Sequence, residues 1–492
     1  MRVSCGLGVI AILACFWVCF QRLVFPYELE WCEGGLVDVV RRLVAHQPIY
    51  APPSVEYTCF QYAPFYYCLS AGVSGLFGVG FFSLRLVSFL ATLGTLGCIA
   101  LCAWRETRRY GPPLVAAGLF AGTLGLVDGW FPLARVDALF LFLFLASISV
   151  IRYAPASLSY AVLAGGLLFL SALTKQTALL MAFPLIVWLC LTNWRRGLVF
   201  GVTTFGLMGL STLFLNHLTA GWYFYYTVTM LSNHARLDSM WLGFWKDEVI
   251  RPFPVALLLS LVVVWRRRAG AGRDFFWLSL LVGTLGGCWS SRLHEGSSSN
   301  SNMPAYAILA LLFGVGLDYA LNCLPDFKLR ARPLLPLGLA GLCILQFGLL
   351  GYDPRSLIPS AKELRAQRRF YDLVRRVEGD VFIPCHGNLL ELAGHESHAN
   401  GVSTWDVRRQ KNPKDWDRLQ AELQATFAAG RFSVIILDDY LSEVYAPLIG
   451  PNYVKLPVPV FQGMRAMLPQ DVYCRQDLPR NIDLLTHSLP IP

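Results

Sequence analysis

The sequence predicts a polytopic α-helical membrane protein with a small α/β domain at its C-terminal end. Three observations lead there. Of 492 residues, 55% are hydrophobic and 15% charged, with a mean hydropathy of +0.49, which a soluble chain of this length does not sustain. The apolar residues fall in runs that approach the roughly 20 residues needed to cross a bilayer, giving about eleven transmembrane helices. After residue 351 the composition becomes that of an ordinary water-soluble chain. We therefore expect a transmembrane unit over 1–351 and an α/β domain over 352–492.

The first run, 3–24, continues well past Cys15, too far for the apolar core of a signal peptide, and reads as an uncleaved spanning helix. The loop behind it, Tyr27–Tyr67, concentrates Glu28, Glu30, Glu33, Asp38 and Glu56. Within it Leu36, Val39, Val40, Leu43 and Val44 recur at helical spacing, which predicts an amphipathic helix lying in the membrane interface with Glu33 in its first turn. A carboxylate held there at the water boundary can take a proton from a hydroxyl, or ligate a divalent cation such as Mg or Mn. The plain alternative is an acid that complements the helix dipole.

Further runs lie at 83–104, 112–127, 137–151, 158–173, 177–192, 198–216, 252–265, 275–289, 303–321 and 333–351. Basic residues collect in alternate loops: Arg2; Arg105, Arg108 and Arg109; Arg152; Arg195 and Arg196; Arg266, Arg267, Arg268 and Arg273; Lys328, Arg330 and Arg332. The positive-inside rule makes these the inner loops, with a cytoplasmic N-terminus and, after an odd number of spans, an extracytoplasmic C-terminal domain. The same clusters account for the net charge of +9 and point to lipid head groups rather than nucleic acid.

The outer loops hold the remaining candidates. Arg135 and Asp137 sit at the mouth of one helix, and Lys175 occupies a short turn, Thr174–Lys175–Gln176–Thr177. A base on the acidic side suits a lipid phosphate; a lysine snorkelling from a helix end is the alternative. Trp222, Tyr223, Tyr225, Tyr226, His234 and Arg236 make a loop that reads as an interfacial belt or a sugar-stacking surface. His294 precedes, and Asn302 ends, the run 296–302 (GSSSNSN), taken as a flexible outer loop.

In the C-terminal region we expect an amphipathic helix over 361–378, strands at 380–384 and 433–438, and a helix over 415–429 between them. No glycine-rich phosphate loop is present, so nucleotide binding is not supported. Cys385, His386, His395 and His398 lack the spacing of tetrahedral ligand pairs and read as ordinary loop residues beside the pair Asp438–Asp439. Most cysteines lie in apolar runs as small hydrophobes. Cys385 and Cys474 alone share the C-terminal region, where an oxidising compartment could join them.

Taken in order, the acidic first loop with Glu33–Gly34, the segment Gln61–Tyr62–Ala63–Pro64–Phe65–Tyr66–Tyr67, Ser83–Leu84–Arg85–Leu86, Ala134–Arg135–Val136–Asp137, Thr174–Lys175–Gln176–Thr177 and Asn302–Met303–Pro304 resemble the GT-C superfamily. These are integral-membrane glycosyltransferases similar to the protein mannosyltransferases and the aminoarabinose transferases. The resemblance covers roughly residues 1–350. It implies a polyprenyl-phosphate-linked sugar as donor, transferred to a lipid, glycan or protein acceptor on the extracytoplasmic face of a membrane, read as the bacterial inner membrane. It also implies an acid of the first outer loop as catalytic base or metal ligand, with Lys175 and Arg135 as candidates for the donor phosphate. Tyr62, Asp137, His234, His294 and Asn302 are the candidate substrate contacts. The loop departs from the family's usual Asp–Glu pair, since Cys32 precedes Glu33 and Glu30 lies three residues earlier, so both glutamates stand as candidate bases. Two other classes compete. A transporter would place ionisable groups in the middle of its spans, whereas these cluster at helix ends; a non-catalytic envelope scaffold would need no acidic loop.

Overall fold

The computed structural model describes residues 1–269, 274–323, 335–456, 466 and 469–487. Each apolar run forms a helix: α1 (Arg2–Leu23), α4 (Phe81–Thr107), α5 (Gly111–Gly122), α6 (Asp137–Tyr153), α7 (Leu158–Ala172), α8 (Thr177–Thr192), α9 (Trp194–Leu218), α10 (Pro254–Ala269), α11 (Phe276–Arg292), α12 (Met303–Cys323) and α13 (Leu335–Leu349). The acidic loop contributes α2 (Glu33–Val44), and α3 (Phe65–Phe77) follows it. Among the described residues five segments, those of α1, α4, α9, α12 and α13, are long and apolar enough to cross a membrane, and a sixth counts if the bent pair Met240–Ile250 and Pro254–Arg266 is one span. This is a multi-pass membrane protein.

Helix α1 lies on α5, α5 on α4 and α12, α4 on α6, and the sequence α6–α7–α9–α8–α11 completes the bundle. Small residues set the closest crossing. A Cβ on Gly118 would stand 2.2 Å from the Cα of Gly8, so α1 and α5 touch backbone to backbone, the usual route to dense packing where lipid removes the hydrophobic drive. The segment carrying α12 is 83% buried and forms the centre, whereas α9 is 11% buried and lines the outside.

The two ends of the bundle carry different chemistry. At one, Arg152 bonds Glu106 and Asp274, Arg196 donates to the carbonyl of Ile151, and Arg109 reaches Asp318. The other gathers the acidic loop, Arg135, Lys175 and Arg292. Arg273, Lys328, Arg330 and Arg332 of the expected inner loops lie outside the described residues.

After α13 the chain forms α14 (Ala361–Val374), closed at its start by a capping box between Ser360 and Glu363. A four-stranded sheet of order β1-β2-β4-β3 follows, with β1 (Asp380–Phe382) parallel to β2 (Phe432–Asp438) and antiparallel pairs thereafter, β3 being Tyr453–Lys455 and β4 Pro469–Arg475. Helices α15 (Gly387–Ala393), α16 (Gly401–Arg408), α17 (Lys414–Ala428), α18 (Asp439–Tyr445) and α19 (Pro479–His487) surround it. This region is not a detached globule. Leu36, Val37, Val39 and Val40 of α2 belong to one buried cluster with Phe382, Leu423, Phe432 and Ile435.

Four expectations need correction. In the apolar stripe of α2, Leu36, Val39 and Val40 are buried against protein, Leu43 is half-buried and Val44 is 46% exposed, so most of that helix is held by protein packing. Residues 296–302 are not a free loop: Ser299–Asn302 forms a 3-10 turn in which Asn300, Ser301 and Asn302 are buried. Cys385 and Cys474 are both free and buried; Cys385 Sγ lies 2.8 Å from the Tyr440 hydroxyl, while Cys474 sits in β4 opposite Val434. In the aromatic loop Tyr223 and Tyr226 are buried, and Tyr223 meets Tyr50 edge to face at 5.1 Å, so much of the supposed belt is internal packing.

Candidate active site

The chain leaves α1 at Leu23 and is at once gripped by Arg85 of α4. A guanidinium in an apolar helix must find partners inside the protein, and this one finds five oxygens. Its Nη1 donates to the carbonyls of Phe25 (2.6 Å) and Arg22 (3.2 Å), and its Nη2 to that of Tyr27 (2.7 Å). Nε and Nη2 then meet Glu33 in a bidentate pair at 2.9 and 2.6 Å. Two backbone amides, Ala134 at 2.7 Å and Leu29 at 2.8 Å, complete four donors on Glu33, whose side chain is 0% exposed. Glu33 is therefore not at the water boundary. Burial raises its pKa, but the Arg85 charge and these bonds outweigh it and hold the carboxyl below its ordinary value. The site does not fit a metal ion, because a guanidinium and amide hydrogens already fill the carboxylate. Among the described residues no group of three or more His, Cys, Asp or Glu side chains could hold one.

Glu30 is bound differently. Its Oε2 accepts from the Cys32 amide at 3.1 Å and from Arg135 Nη1 at 3.3 Å, and its Oε1 is buried with no partner among the described residues. Burial pushes its pKa up to about 7 against the opposing pull of Arg135. Arg135 in turn donates to the Tyr62 hydroxyl at 2.9 Å and lies over the rings of Tyr62 and Trp130. Trp130 Nε1 donates to Asp137 Oδ2 at 2.8 Å, and Lys175 Nζ donates to Asp137 Oδ1 at 2.7 Å. Glu30, Arg135, Tyr62, Asp137 and Lys175 thus form one connected group, and Lys175 is paired rather than snorkelling.

Gln61 extends the group, hydrogen-bonding His234 at 2.9 Å. His234 faces Asp406 of α16 at 3.8 Å and the ring of His294 at 6.4 Å. Burial raises Asp406 to about 7 and, with the nearby Arg409 charge, lowers His234. Asn302 is not on this rim. It is fully enclosed, its Nδ2 donating to Glu248 at 2.8 Å and to Tyr306 at 3.3 Å, while Glu248 holds Arg292 at 2.6 Å.

Behind Glu30 the C-terminal region makes a contact the sequence did not disclose. His386, read as a loop residue, follows β1 and is 0% exposed, with Nδ1 bonded to Glu28 and Nε2 to Asp438 at the end of β2, 2.9 Å away. The parallel pairing of β1 and β2 brings both to the carboxyl edge of the sheet, where such folds place their sites. The two carboxylates overcome burial and raise the imidazole to about 10. The backbone accommodates this closely, since a Cβ on Gly34 would stand 1.8 Å from Glu28 Oε1. His398 makes a second such node with Glu56 and Asp380, joined by Arg431. Only Arg85 had a legible signal, a charge set into an apolar run; Asp406 and His386 had none.

No protein-family model matches the sequence, and no curated protein does. Solved structures do match, and what the chain shares with them is the fold. ArnT from Cupriavidus metallidurans in the apo state superposes with a TM-score of 0.61 at 15% identity, covering 98% of this chain and 99% of that one. The same protein bound to undecaprenyl phosphate gives 0.59 at 16% identity, over 95% and 98%. The oligosaccharyltransferase AglB from Archaeoglobus fulgidus, in complex with an inhibitory peptide and a dolichol-phosphate, gives 0.56 at 11% identity, over 89% and 70%.

Proposed function

We propose that the protein is a membrane glycosyltransferase that moves a sugar from a polyprenyl-phosphate donor to an acceptor at the extracytoplasmic face. The observation that carries this reading is Glu30, a buried carboxylate with a pKa near 7, one vacant oxygen, and Arg135 and Tyr62 alongside. Its placement in a fold shared with proteins whose structures hold undecaprenyl phosphate or dolichol-phosphate supports this choice of donor class.

In this mechanism Glu30 is the base. Its free Oε1 takes the proton of an acceptor hydroxyl as the oxygen attacks the anomeric carbon, and the polyprenyl phosphate departs with the electrons of the broken C–O bond. Arg135 and Lys175 receive the negative charge on the departing phosphate, and Asp137 keeps Lys175 in position for it. Tyr62, on Arg135, and His234 and His294, which face each other near Gln61, are assigned to the sugar and acceptor. Glu33 has no free valence for the reaction, so its role is to hold the loop through Arg85. The topology that goes with this reading has about eleven spans, a cytoplasmic N-terminus, and residues 352–492 as an extracytoplasmic domain covering the site.

Purified protein in proteoliposomes, supplied with radiolabelled polyprenyl-phosphate sugars and an extract of envelope acceptors, is expected to release polyprenyl phosphate and label an acceptor. Transport of the lipid with no glycosyl product would overturn the assignment.

A further inference from the structure

Where α1 ends, the structure forms a concavity lined by none of the residues of the Glu30–Arg135 group. Pro26 and Tyr27 make one wall, and Leu364, Arg368, Tyr371, Asp372 and Arg375 of α14 and its C-terminal end make the other, enclosing an open groove of about 450 Å³. Leu364, Arg368, Tyr371 and Arg375 are spaced by four, three and four residues, so one face of the helix presents them together. The opposite face, with Phe370, Leu373 and Val374, is buried in the sheet region and fixes that orientation. Arg368 and Arg375 are exposed, and among the described residues neither forms an ion pair.

The groove opens at the end of an apolar track. Leu13, Phe16, Trp17, Phe20 and Val24 are 45–63% exposed and recur at helical spacing along α1, reaching to within two residues of Pro26. A molecule with acyl chains against that track would place its head between the two arginines. Two guanidinium groups and the Asp372 carboxylate leave one net positive charge in the groove, which matches a singly charged phosphodiester better than a doubly charged phosphate monoester.

We propose that this groove binds the phosphodiester head group of an anionic bilayer phospholipid. The site requires α1 to cross the bilayer but is independent of the transfer reaction, because none of its residues belongs to the Glu30–Arg135 group. Arg368 and Arg375 clasp the phosphate, Asp372 sets the charge preference, and the lipid pins the C-terminal region to the membrane beside the acidic loop.

The test is native mass spectrometry of the full-length protein in neutral detergent, titrated with dioleoyl phosphatidylglycerol, dioleoyl phosphatidylcholine, farnesyl phosphate or inorganic phosphate. Phosphatidylglycerol should give one tight adduct that phosphatidylcholine does not. R368A/R375A should weaken that adduct by about tenfold while leaving phosphatidylcholine binding unchanged. D372N should act in the opposite direction, tightening phosphatidylglycerol and admitting the monoester; a misfolded variant cannot mimic that gain. The proposal is overturned if R368A/R375A keeps native phosphatidylglycerol affinity. It is equally overturned if farnesyl phosphate binds the native protein more tightly, which would make the groove a monoester substrate site, or if inorganic phosphate displaces the lipid, which would make it a free-anion site.

Discussion

Glu33 with Arg85 and Glu30 with Arg135 are carboxylate–guanidinium pairs in the same loop, three residues apart, yet they are built to opposite ends. The first satisfies both carboxylate oxygens with four donors and excludes water completely. The second is a single contact at 3.3 Å that leaves one oxygen vacant. Burial acts on both, but the fully coordinated Glu33 is held below its ordinary pKa while the half-coordinated Glu30 is pushed up to about 7, a difference that fits the two roles proposed above.

Breaking the closed pair should have the largest effect. Arg85→Met strands the Glu33 charge in the interior and should cost about 3–5 kcal/mol, seen as loss of a folded, monodisperse protein in detergent. The double variant R85M/E33Q should recover much of it.

Glu30→Gln sharpens the contrast from the other side. Transfer should fall by about 10²–10⁴-fold with the fold intact. Because the base must be ionised, native kcat/KM should rise with pH through about 7 and level above it. The sign for stability is reversed: the folded carboxyl holds its proton more tightly than the unfolded one. Native stability should therefore decline from about pH 4.3 to about 7 and then level. E30Q should lack that decline and melt higher than the native protein at pH 8.

His386→Asn tests whether the loop is held from behind, and should loosen the C-terminal region by about 2 kcal/mol. A raised imidazole pKa gives stabilisation that is complete below its ordinary value near 6.5 and is lost as pH rises through about 10. Protection of residues 352–492 from limited proteolysis should fall over that window in the native protein and stay flat in H386N. Tyr62→Phe should have the smallest effect, lowering kcat about fivefold by releasing one hydrogen bond of Arg135, with little change in melting temperature.

The helical framework was legible because apolar runs are local, and each became a helix near its expected bounds. Helix α3 was missed because its small and polar residues, Ser70, Gly72, Ser74 and Gly75, dilute a short segment. Strands β3 and β4 were missed because a three-residue strand carries little pattern and Pro469 opens the other, with alternation too weak to read. Glu30, Arg135, Tyr62, Asp137 and Lys175 could be shortlisted from their order along the chain. The difference in coordination between Glu30 and Glu33 could not, since it depends on which carboxylate Arg85 reaches from 52 residues away. His386 was beyond local reading for the same reason, its partners being 358 and 52 positions distant.

That separation has a consequence for how the protein is made. Glu28 is synthesised among the first residues of the chain, and the imidazole that covers it arrives 358 positions later. Until that imidazole arrives, Glu28 stands without the partner that covers it, while Arg85 and Arg135, which hold Glu33 and Glu30, are already made. The His386–Glu28 bond therefore closes only after the bundle has been made, so the back of the acidic loop is the last part of it to be completed.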